Sequence, residues 1–325
     1  MNDAGTVLVL TGDEDSTADA VIKQLAQRGT RVASIDPGDF PLKQNLTAQL
    51  LTDESSWSTR FHNDTGTVDL SVVRSVYYRR PTRFRLPDEL SQADQVVAAG
   101  EARLAVGGLL ASLDVLWVNH PHRAGAAEYK PLQLQTAGRS GLAVPDTIIT
   151  NDADEVKAFA ARIGKDVVCK EMGASLLSEN GEAMMTWTTR IDPSDIDPDQ
   201  FAVTAHMVQA WVPKDYEVRL TAIGRRLFAV AIQASSEAAH VDWRSDYASL
   251  SYEVVDTPMP VAEGVAEFMD YMCLSFGAFD FAVTPDGDWV FLECNPGGQW
   301  LWLEEETGTP IAAALADLLA TGATT

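Results

Sequence analysis

Two carboxylates and one amide lie close together in the segment FDFAVTPDGDWVFLECNPGGQW. Asp286-Gly287 within it predicts a hairpin with a two-residue turn. Asp280 then pairs with Glu293, with Cβ atoms about 5 Å apart, and Asn295 follows on the same face. The same register pairs residue 285 with 288 and 283 with 290. A four-residue loop preserves it, whereas a three-residue bulged loop breaks it.

Opposed carboxylates on an apolar hairpin repel each other, so one is protonated, both reach water, or a cation bridges them. Phe279, Phe281 and Leu292 are expected to point to the opposite face, toward a core. Two acids and an amide supply three hard oxygen ligands. This set suits Mg²⁺, which takes few protein ligands and completes its shell with water and phosphate. The sequence predicts a magnesium site on this triad, and the alternative is a solvated hairpin face.

Two lysines are candidates to meet the phosphate that such a metal implies. Lys170 ends the apolar strand VVCK and precedes the glycine-containing loop EMGASLLSENG, where an ammonium and backbone N–H groups can surround phosphate. The segment is not a P-loop, because GxxxxGK[ST] is absent. Lys130 is the second candidate. Taken alone, each lysine has a surface position as its alternative, and the phosphate-contacting atoms of loop 171–182 stay open.

The next strands carry further candidates. HMVQAWVPKDYEV is an apolar strand that stops beside a polar turn, so its backbone can face an adenine edge. Arg219 shares a strand face with Glu217, and VDWR places Asp242 and Arg244 two residues apart. Arginine is the natural clamp for carboxylate or phosphate. Surface ion pairs are the alternative for these residues.

Composition restricts the partners of the chain. The 325 residues include 24 basic and 47 acidic side chains, a net charge of -23, which argues against nucleic acid and against an anionic membrane surface. Three cysteines without CxxC spacing fit a reducing cytoplasm. The N-terminus lacks the pattern of a signal peptide, and no apolar run reaches the roughly 18 residues of a membrane span.

The order of elements predicts an α/β protein. Strand, helix and strand over residues 7–35 indicate a parallel unit, and its first loop lacks the GxGxxG of a dinucleotide site. Further strands are expected at 71–78 and 115–118, with a helix at 91–113 between them. Beyond a boundary near Asn119, helices at 126–138 and 152–163 (capped by Asn151) flank extended segments at 145–150 and 167–170. From about residue 204, antiparallel strands, a helix at 261–276, the hairpin and a C-terminal helix complete the chain.

Several of these segments together resemble the ATP-grasp ligases from about Asn119 to the C-terminus. The matching features are a lysine before a helix and "VPDT", a strand-end lysine with a glycine loop, "QAWV" before "EVRLTAIG", and an aspartate followed by Glu-x-Asn. The resemblance implies an N-terminal α/β domain over 1–118, a central lid domain over 119–203 and a C-terminal antiparallel-sheet domain over 204–325. It also implies roles for the site residues: Mg²⁺ ligands at Asp280, Glu293 and Asn295, ATP-phosphate lysines at Lys130 and Lys170, an adenine hinge at Gln209, Ala210, Trp211 and Val212, and a ribose-binding acid at Glu217.

A narrower resemblance is to the graspetide synthetases, the ATP-grasp maturases of ribosomal peptides. It is carried by "VRSVYYRRP", "VDWR" and "NPGGQWLWLEEETGTPI". It implies that ATP activates Asp or Glu side chains of a precursor peptide, with its leader and acidic core, and that Ser, Thr or Lys side chains then attack. Arg219 and Arg244 are the candidate catalytic clamps. A homodimer in the cytoplasm is expected by the same resemblance.

For such a peptide, a basic segment in an acidic chain is a candidate contact. Four arginines occur within seven positions, and we assign them to the peptide together with Asp242: Arg79, Arg80, Arg83 and Arg85. The alternative is pairing with the chain's own acids. Other functions also stay open, namely ligation of a free amino acid or a protein terminus, or a non-catalytic nucleotide- or peptide-binding module.

Overall fold

The computed structural model describes residues 5–173, 176–179, 182–185 and 188–322. In chain order its strands are β1 (Thr6–Thr11), β2 (Val32–Ile35), β3 (Gln44–Gln49), β4 (Ser58–Asn63), β5 (Gly66–Asp69), β6 (Val73–Arg80), β7 (Leu116–Val118), β8 (Thr147–Thr150), β9 (Val167–Lys170), β10 (Leu176–Glu179), β11 (Glu182–Met185), β12 (Thr189–Ile191), β13 (His206–Ala210), β14 (Tyr216–Ile223), β15 (Arg226–Ala234), β16 (Leu250–Val255), β17 (Phe276–Val283) and β18 (Trp289–Asn295).

The helices complete this α/β arrangement. They are α1 (Ser16–Gln27), α2 (Gln92–Ala111), α3 (Pro121–Ala127), α4 (Lys130–Arg139), α5 (Ala153–Ile163), α6 (Pro198–Phe201), α7 (Glu237–Val241), α8 (Met259–Met272), α9 (Leu301–Thr307) and α10 (Ile311–Thr321). No helix among the described residues is apolar over a length that would span a bilayer.

The N-terminal sheet is parallel, as predicted, with strand order β2-β1-β6-β7. Its central strand β1 is almost wholly buried, so its run of Val and Leu reads as a continuous apolar segment. The Asp15 side chain caps α1 by accepting from two backbone N–H groups. A separate antiparallel sheet, β3-β4-β5, is inserted before β6 and was not predicted.

The central sheet has the order β12-β9-β13-β8 and is covered by α5. Asp152, rather than the predicted Asn151, caps α5, because its carboxylate accepts from the Asp154 N–H at 2.9 Å. The predicted helix at 126–138 is wrong as a single helix: it is two, α3 and α4, which meet near Tyr129. The sheet also includes β13, which lies beyond the expected boundary at residue 203.

The C-terminal sheet is antiparallel, with order β16-β15-β14-β17-β18. One face packs on α8 through four fully buried phenylalanines, Phe268, Phe279, Phe281 and Phe291, whose ring centroids lie 5.2–6.3 Å apart. Burial of each such ring stabilises the fold by about 1.5–3 kcal/mol relative to an exposed ring. The opposite face meets α10, α1 and β1 around the buried Trp300. This double-sided core fixes the position of the β17–β18 hairpin.

The hairpin pairs Asp280 with Glu293 as predicted, but its loop and the register next to the loop differ from the prediction. The Thr284 N–H donates to the Asp288 carbonyl at 3.0 Å, so residues 285–287 form a three-residue loop in place of the predicted two-residue turn. Val283 therefore pairs with Trp289, and the predicted pair 283–290 is wrong. A bulge at Leu292 then shifts the register back, and Asp280 pairs with Glu293 as predicted. The same bulge turns Leu292 away from the core that we predicted for it.

Candidate functional site

A cavity of about 600 Å³ lies where the central and C-terminal sheets face each other. Most of the side chains singled out from the sequence line it, namely Lys130, Lys170, Gln209, Ala210, Trp211, Val212, Glu217, Asp242, Arg244, Asp280, Glu293 and Asn295. The lining does not include Arg219 or the four arginines of segment 79–85. The fold therefore collects residues from five separated stretches of chain at one place.

The two acids of the hairpin are bridged by cationic side chains of the protein itself. The Arg244 Nη2 donates to Asp280 Oδ2 at 2.7 Å and to Glu293 Oε1 at 2.9 Å. Lys130, at the first position of α4, donates to the other oxygen of Glu293. Asp280 is only 3% exposed, so the carboxylate is neutralised inside the protein and not by water. Of the three ways to relieve repulsion, this structure uses a bridging cation.

The electrostatics of the pair follow from this arrangement. Burial alone raises the pKa of Glu293, but Lys130 and Arg244 outweigh burial and hold that pKa below its usual range. Burial opposes the charge of Arg244, yet Asp280 and Glu293 raise the pKa of its guanidinium. Glu293 is therefore anionic across neutral pH, and its carboxylate remains able to bind a cation.

The donor set fits Mg²⁺. Within the described chain there is no cluster of three His, Cys, Asp or Glu side chains, so the candidate site has two acids and the amide of Asn295. One cationic nitrogen already contacts both carboxylates, which shows that the two oxygens converge on one point. Few protein ligands leave room for water and phosphate oxygens, which is the coordination that Mg²⁺ favours.

Arg219 lies behind Asp280 rather than in the cavity. It is the direct strand neighbour of Asp280, and its Nη1 donates to both carboxylate oxygens at 2.7 and 2.8 Å. The residue is 5% exposed, and its Nη2 reaches the Gln299 carbonyl at 3.4 Å. This geometry favours the ion-pair alternative for Arg219, because its charge holds the acid in place and has no path to a substrate.

Lys170 differs from the other basic residues that line the cavity, Lys130, Lys214 and Arg244, which are all paired with acids. It ends β9 half-buried, and among the described residues its ammonium makes no hydrogen bond or salt bridge. Burial lowers its pKa, with Glu293 opposing and Lys130 adding to the shift. An unpaired ammonium that faces a cavity can bind an anionic ligand. The predicted contacts of loop 171–182 fall partly outside the described residues.

The residues predicted to form an adenine hinge lie at the end of β13 and directly after it. The Trp211 N–H donates to the Asp166 carbonyl at 2.7 Å, whereas the Val212 N–H makes no hydrogen bond with the part of the chain described. Gln209 donates to Thr147, but its Oε1 is buried without a partner. Backbone and amide groups thus stay available at the cavity wall, as an adenine edge requires.

A lysine that the sequence did not single out completes this wall. Lys214 is buried, and its ammonium donates to Glu217 at 2.5 Å and lies 5.1 Å from the Trp211 ring centroid. Burial raises the pKa of Glu217, while Lys214 opposes the rise. Arg190 covers the same indole at 4.4 Å. Only the three-residue spacing of Lys214 and Glu217 in the sequence hinted at this pair.

Asp242 has a local structural role. Its Oδ1 accepts from the Arg244 N–H at 3.2 Å and its Oδ2 from the Thr188 N–H at 3.2 Å. It also lies 3.4 Å from the Arg244 guanidinium. Because both carboxylate oxygens are engaged, the structure favours a role for Asp242 in orienting Arg244 over the predicted direct contact with a peptide.

The four arginines of segment 79–85 divide into two kinds. Arg79 is 8% exposed; it lies 3.4 Å from Asp15 and donates to Gly297 and Gln299. Arg85 pairs with Asp36 and Asp39. Both follow the alternative of internal pairing. Arg80 and Arg83 are exposed and make no salt bridge to described residues.

Comparison of the sequence with protein-family models finds one match. Residues 6–124 match the MvdD pre-ATP grasp domain. No curated protein sequence matches the chain. The family model therefore covers the N-terminal parallel sheet and the start of the next region, and not the cavity.

Solved structures match the whole chain. A Chryseobacterium gregarium RiPP-associated ATP-grasp ligase, in complex with ADP and a leader and core peptide, has a TM-score of 0.90 at 26% identity, with 98% of this chain and 97% of that chain covered. The macrocyclase MdnC from Microcystis aeruginosa, bound with precursor peptide MdnA, gives 0.83 at 27% identity over 97% and 99%. The ligase PsnB with Mg and ADP gives 0.76 at 21% identity over 98% of each chain, a likeness of fold.

Proposed function

We propose that this chain, an ATP-grasp ligase in fold and in its likeness to RiPP-associated ligases, crosslinks side chains of a ribosomal precursor peptide. Asp or Glu side chains of the peptide are activated by ATP, and Ser or Thr hydroxyls or Lys amines attack them. The products are macrocyclic esters or amides, ADP and phosphate. ATP is the phosphoryl donor and Mg²⁺ the required metal.

One observation carries the proposal: an acid pair, an unpaired lysine and a hinge with free donor groups line the same cavity. A carboxylate does not react with an alcohol or amine in water at useful rates. ATP-grasp chemistry solves this problem by phosphorylating the carboxylate. The acid pair can hold the metal that this chemistry requires, the lysine can hold the phosphates, and the hinge can hold the adenine. The likeness to structures that hold ADP and precursor peptides supports the same conclusion.

The chain's residues divide the work as follows. Gln209 to Val212 hold the adenine, and Glu217, set by Lys214, holds the ribose. Lys130 and Lys170 hold the phosphates, and Asp280, Glu293 and Asn295 hold Mg²⁺. When bound, the metal neutralises charge on the transferring phosphoryl group. Arg244 would bind the substrate carboxylate or its acylphosphate, while Arg219 keeps Asp280 in place.

The bond changes balance with one ATP per crosslink. A carboxylate oxygen of the peptide attacks the γ-phosphorus, and ADP leaves with the bond electrons. The hydroxyl or amine of a second side chain then attacks the acyl carbon, loses a proton and expels phosphate. The net change in the peptide is the loss of one water for each bond formed.

The test is incubation with ATP, Mg²⁺ and a candidate precursor peptide, followed by mass spectrometry. A short reading frame beside the gene, rich in Thr and in Asp or Glu, is the candidate source. Loss of one water per bond supports the proposal. Ligation of a free amino acid or of a protein terminus, or nucleotide binding without phosphate release, would contradict it.

A basic surface for the peptide is part of the proposal, now confined to Arg80 and Arg83. These two side chains are exposed and unpaired within the described structure, so they can meet an acidic peptide. Arg80→Ala with Arg83→Ala is expected to weaken peptide binding several-fold and to leave basal ATP hydrolysis unchanged. Arg85→Ala is the matched control, since its charge is already used by Asp36 and Asp39. Equal peptide affinity of all variants would reject the surface.

The assembly and location complete the proposal. We propose a homodimer, supported by the apolar side chains that α2 leaves exposed: Val96, Val97 and Leu104 are 70%, 64% and 61% accessible. A reducing cytoplasm is supported by three free cysteines. We retain the first domain boundary at Asn119 and place the second after β13, because β13 belongs to the central sheet.

A further inference from the structure

Strand β18 is the edge strand of its sheet, and it carries Glu293 and Asn295 on either side of Cys294. The Cys294 thiol lies in the phenylalanine core at 2% exposure. The side chains before and after it therefore point to the other face. An edge strand leaves outward backbone groups unpaired, so its course depends on what covers them.

Two buried amide side chains from outside this sheet hold the backbone on both sides of Asn295. The Gln133 Oε1 accepts from the Cys294 N–H at 2.8 Å, and its Nε2 donates to the Cys294 carbonyl at 2.8 Å and to the Ala127 carbonyl at 2.5 Å. The Asn119 Nδ2 donates to the Pro296 carbonyl at 2.8 Å. Both amides are at most 4% exposed.

The second amide is also fully used. The Asn119 Nδ2 donates to the Phe276 carbonyl at 2.7 Å, and its Oδ1 accepts from the Ser275 and Phe276 N–H groups at 2.7 and 3.1 Å. Asn119 thereby ties the residue after Asn295 to the start of β17, the strand that carries Asp280. Its four hydrogen bonds fix the distance between the two strands that supply the acids.

We infer that Gln133 and Asn119 are positioning residues for the proposed metal ligands, an inference that rests on the proposed function. Gln133 lies one turn after Lys130 on α4, so one helix contacts Glu293 through an ammonium and grips the next residue through an amide. Partners that orient ligands in this way change metal affinity by roughly 10- to 100-fold when they are removed. Gln133 lines the cavity, but its amide oxygen and nitrogen are used by the Cys294 and Ala127 backbone, so its proposed role acts through the strand and not through contact with a ligand.

The experiment measures ADP affinity by calorimetry, with and without Mg²⁺. Gln133→Met keeps the side-chain volume and removes all three hydrogen bonds of the amide. It is expected to weaken Mg²⁺-dependent ADP binding roughly 10- to 100-fold and to leave metal-free ADP binding unchanged. Thr136→Val is the matched control: it lies one turn further on the same helix, is 2% exposed and does not line the cavity. Its affinity should match the wild type in both conditions.

A second variant and a double-mutant cycle keep the test decisive if Gln133→Met folds poorly. Asn119→Asp keeps the oxygen that accepts from Ser275 and Phe276 but loses donation to the Phe276 and Pro296 carbonyls. It should also weaken only the Mg²⁺-dependent binding. Because positioning acts through the ligands, Gln133→Met should weaken binding by a smaller factor in the Asn295→Ala background than in the wild type.

Two results overturn the inference, and they are distinguishable from failure of the proposed function. Equal weakening with and without Mg²⁺, or additive effects in the cycle, would assign Gln133 a role in general stability alone. Wild-type binding by Asn295→Ala and Glu293→Gln would remove the metal assignment itself, and the inference with it. Loss of Mg²⁺-dependent binding in those two variants, with Gln133→Met and Asn119→Asp unaffected, would leave the proposed function standing and reject the positioning role.

Discussion

The charged groups on the two sides of the cavity are paired to different degrees. On the side of the C-terminal sheet, Asp280 and Glu293 both bind Arg244, and Arg219 binds Asp280 from behind. On the central sheet, the ammonium of Lys170 has no partner within the described chain, and the Gln209 Oε1 is buried without one. The charged side chains of the first side, here called the acid wall, are all paired with one another. The second side, here called the lysine wall, holds the ammonium of Lys170 and the oxygen of Gln209, both unpaired among the residues described.

The difference has a physical reason. Two carboxylates this close together carry too much charge to remain unpaired, so cationic side chains of the protein pair with them. A single lysine at a cavity wall costs less, because it retains access to water and its pKa can fall. The ion pairs of the acid wall therefore contribute to the stability of the fold, whereas the lysine wall keeps an ammonium without a partner in the described part of the chain. Mutations on the two walls should differ in stability as well as in activity.

The largest expected effects come from substitution of the two acids, Asp280 and Glu293. Asp280→Asn leaves Arg219 and Arg244 without their shared carboxylate, and loss of one partner of a buried pair costs about 3–5 kcal/mol. Glu293→Gln should cost less stability, because the Glu293 side chain is 26% exposed. Both variants should lose ATP turnover. Thermal unfolding and phosphate release measure the two effects, and normal turnover in either variant would remove the metal assignment.

On the lysine wall, a substitution should lower nucleotide affinity without lowering the stability of the fold. Lys170→Met removes an ammonium with no salt bridge to described residues, so the free energy of unfolding should hold or rise slightly. Nucleotide affinity should fall by about 1.5–3 kcal/mol, the value of a hydrogen bond to a charged group. Lys165→Met is the control, since Lys165 is exposed and contacts only Asp146. A loss of stability as large as that of Asp280→Asn would contradict the proposed contrast between the walls.

The sequence predicted the pairing of Asp280 with Glu293 correctly, but it did not predict the turn and the bulge that produce this pairing. Strand periodicity and a turn were enough to pair Asp280 with Glu293, because both side chains belong to one local hairpin. The turn type was wrong, and the bulge at Leu292 that repairs the register follows from packing of Phe291 in the core, a contact of the whole fold. The parallel N-terminal sheet was likewise predicted from local order. The inserted sheet β3-β4-β5 alternates in burial, but its strands QNLTAQ and STRFHN contain few apolar residues, so the alternation is hard to see in the sequence.

Long-range partners were beyond such reasoning. Whether Arg79 meets a peptide or Asp15 depends on a contact between residues far apart in sequence, and spacing carries no information about it. The same holds for Gln133, whose partner Cys294 is 161 residues away. Residue type indicated which side chains could do chemistry, and only the fold shows which of them face the cavity.

A smaller test concerns the loop that follows the acid wall. A Cβ at Gly298 would lie 2.6 Å from the Ala278 Cβ and 2.9 Å from the Arg219 Nη2. Gly298→Ala should therefore push Arg219 against Asp280 and cost about 1–3 kcal/mol of stability, as overpacking does. Gly297→Ala is its neighbour and control, because a Cβ there meets nothing within 4 Å. Equal unfolding temperatures for the two variants would show that Arg219 and Asp280 can shift to accommodate the added methyl group, contrary to our argument.

The smallest expected effect is a pH dependence that arises from the ammonium of Lys170. Burial lowers the pKa of Lys170 below the ordinary lysine value of about 10.4. Between the two values the unfolded chain binds more protons than the folded one, so this group makes stability rise with pH across that window. Nucleotide phosphates favour the charged ammonium, so ADP affinity should fall a few-fold as pH rises through the same window. Lys170→Arg stays charged there and should flatten the dependence. Calorimetry at several pH values measures ADP affinity for the wild type and for Lys170→Arg. The same pH dependence of ADP affinity in both proteins would mean that Lys170 does not contact the phosphates.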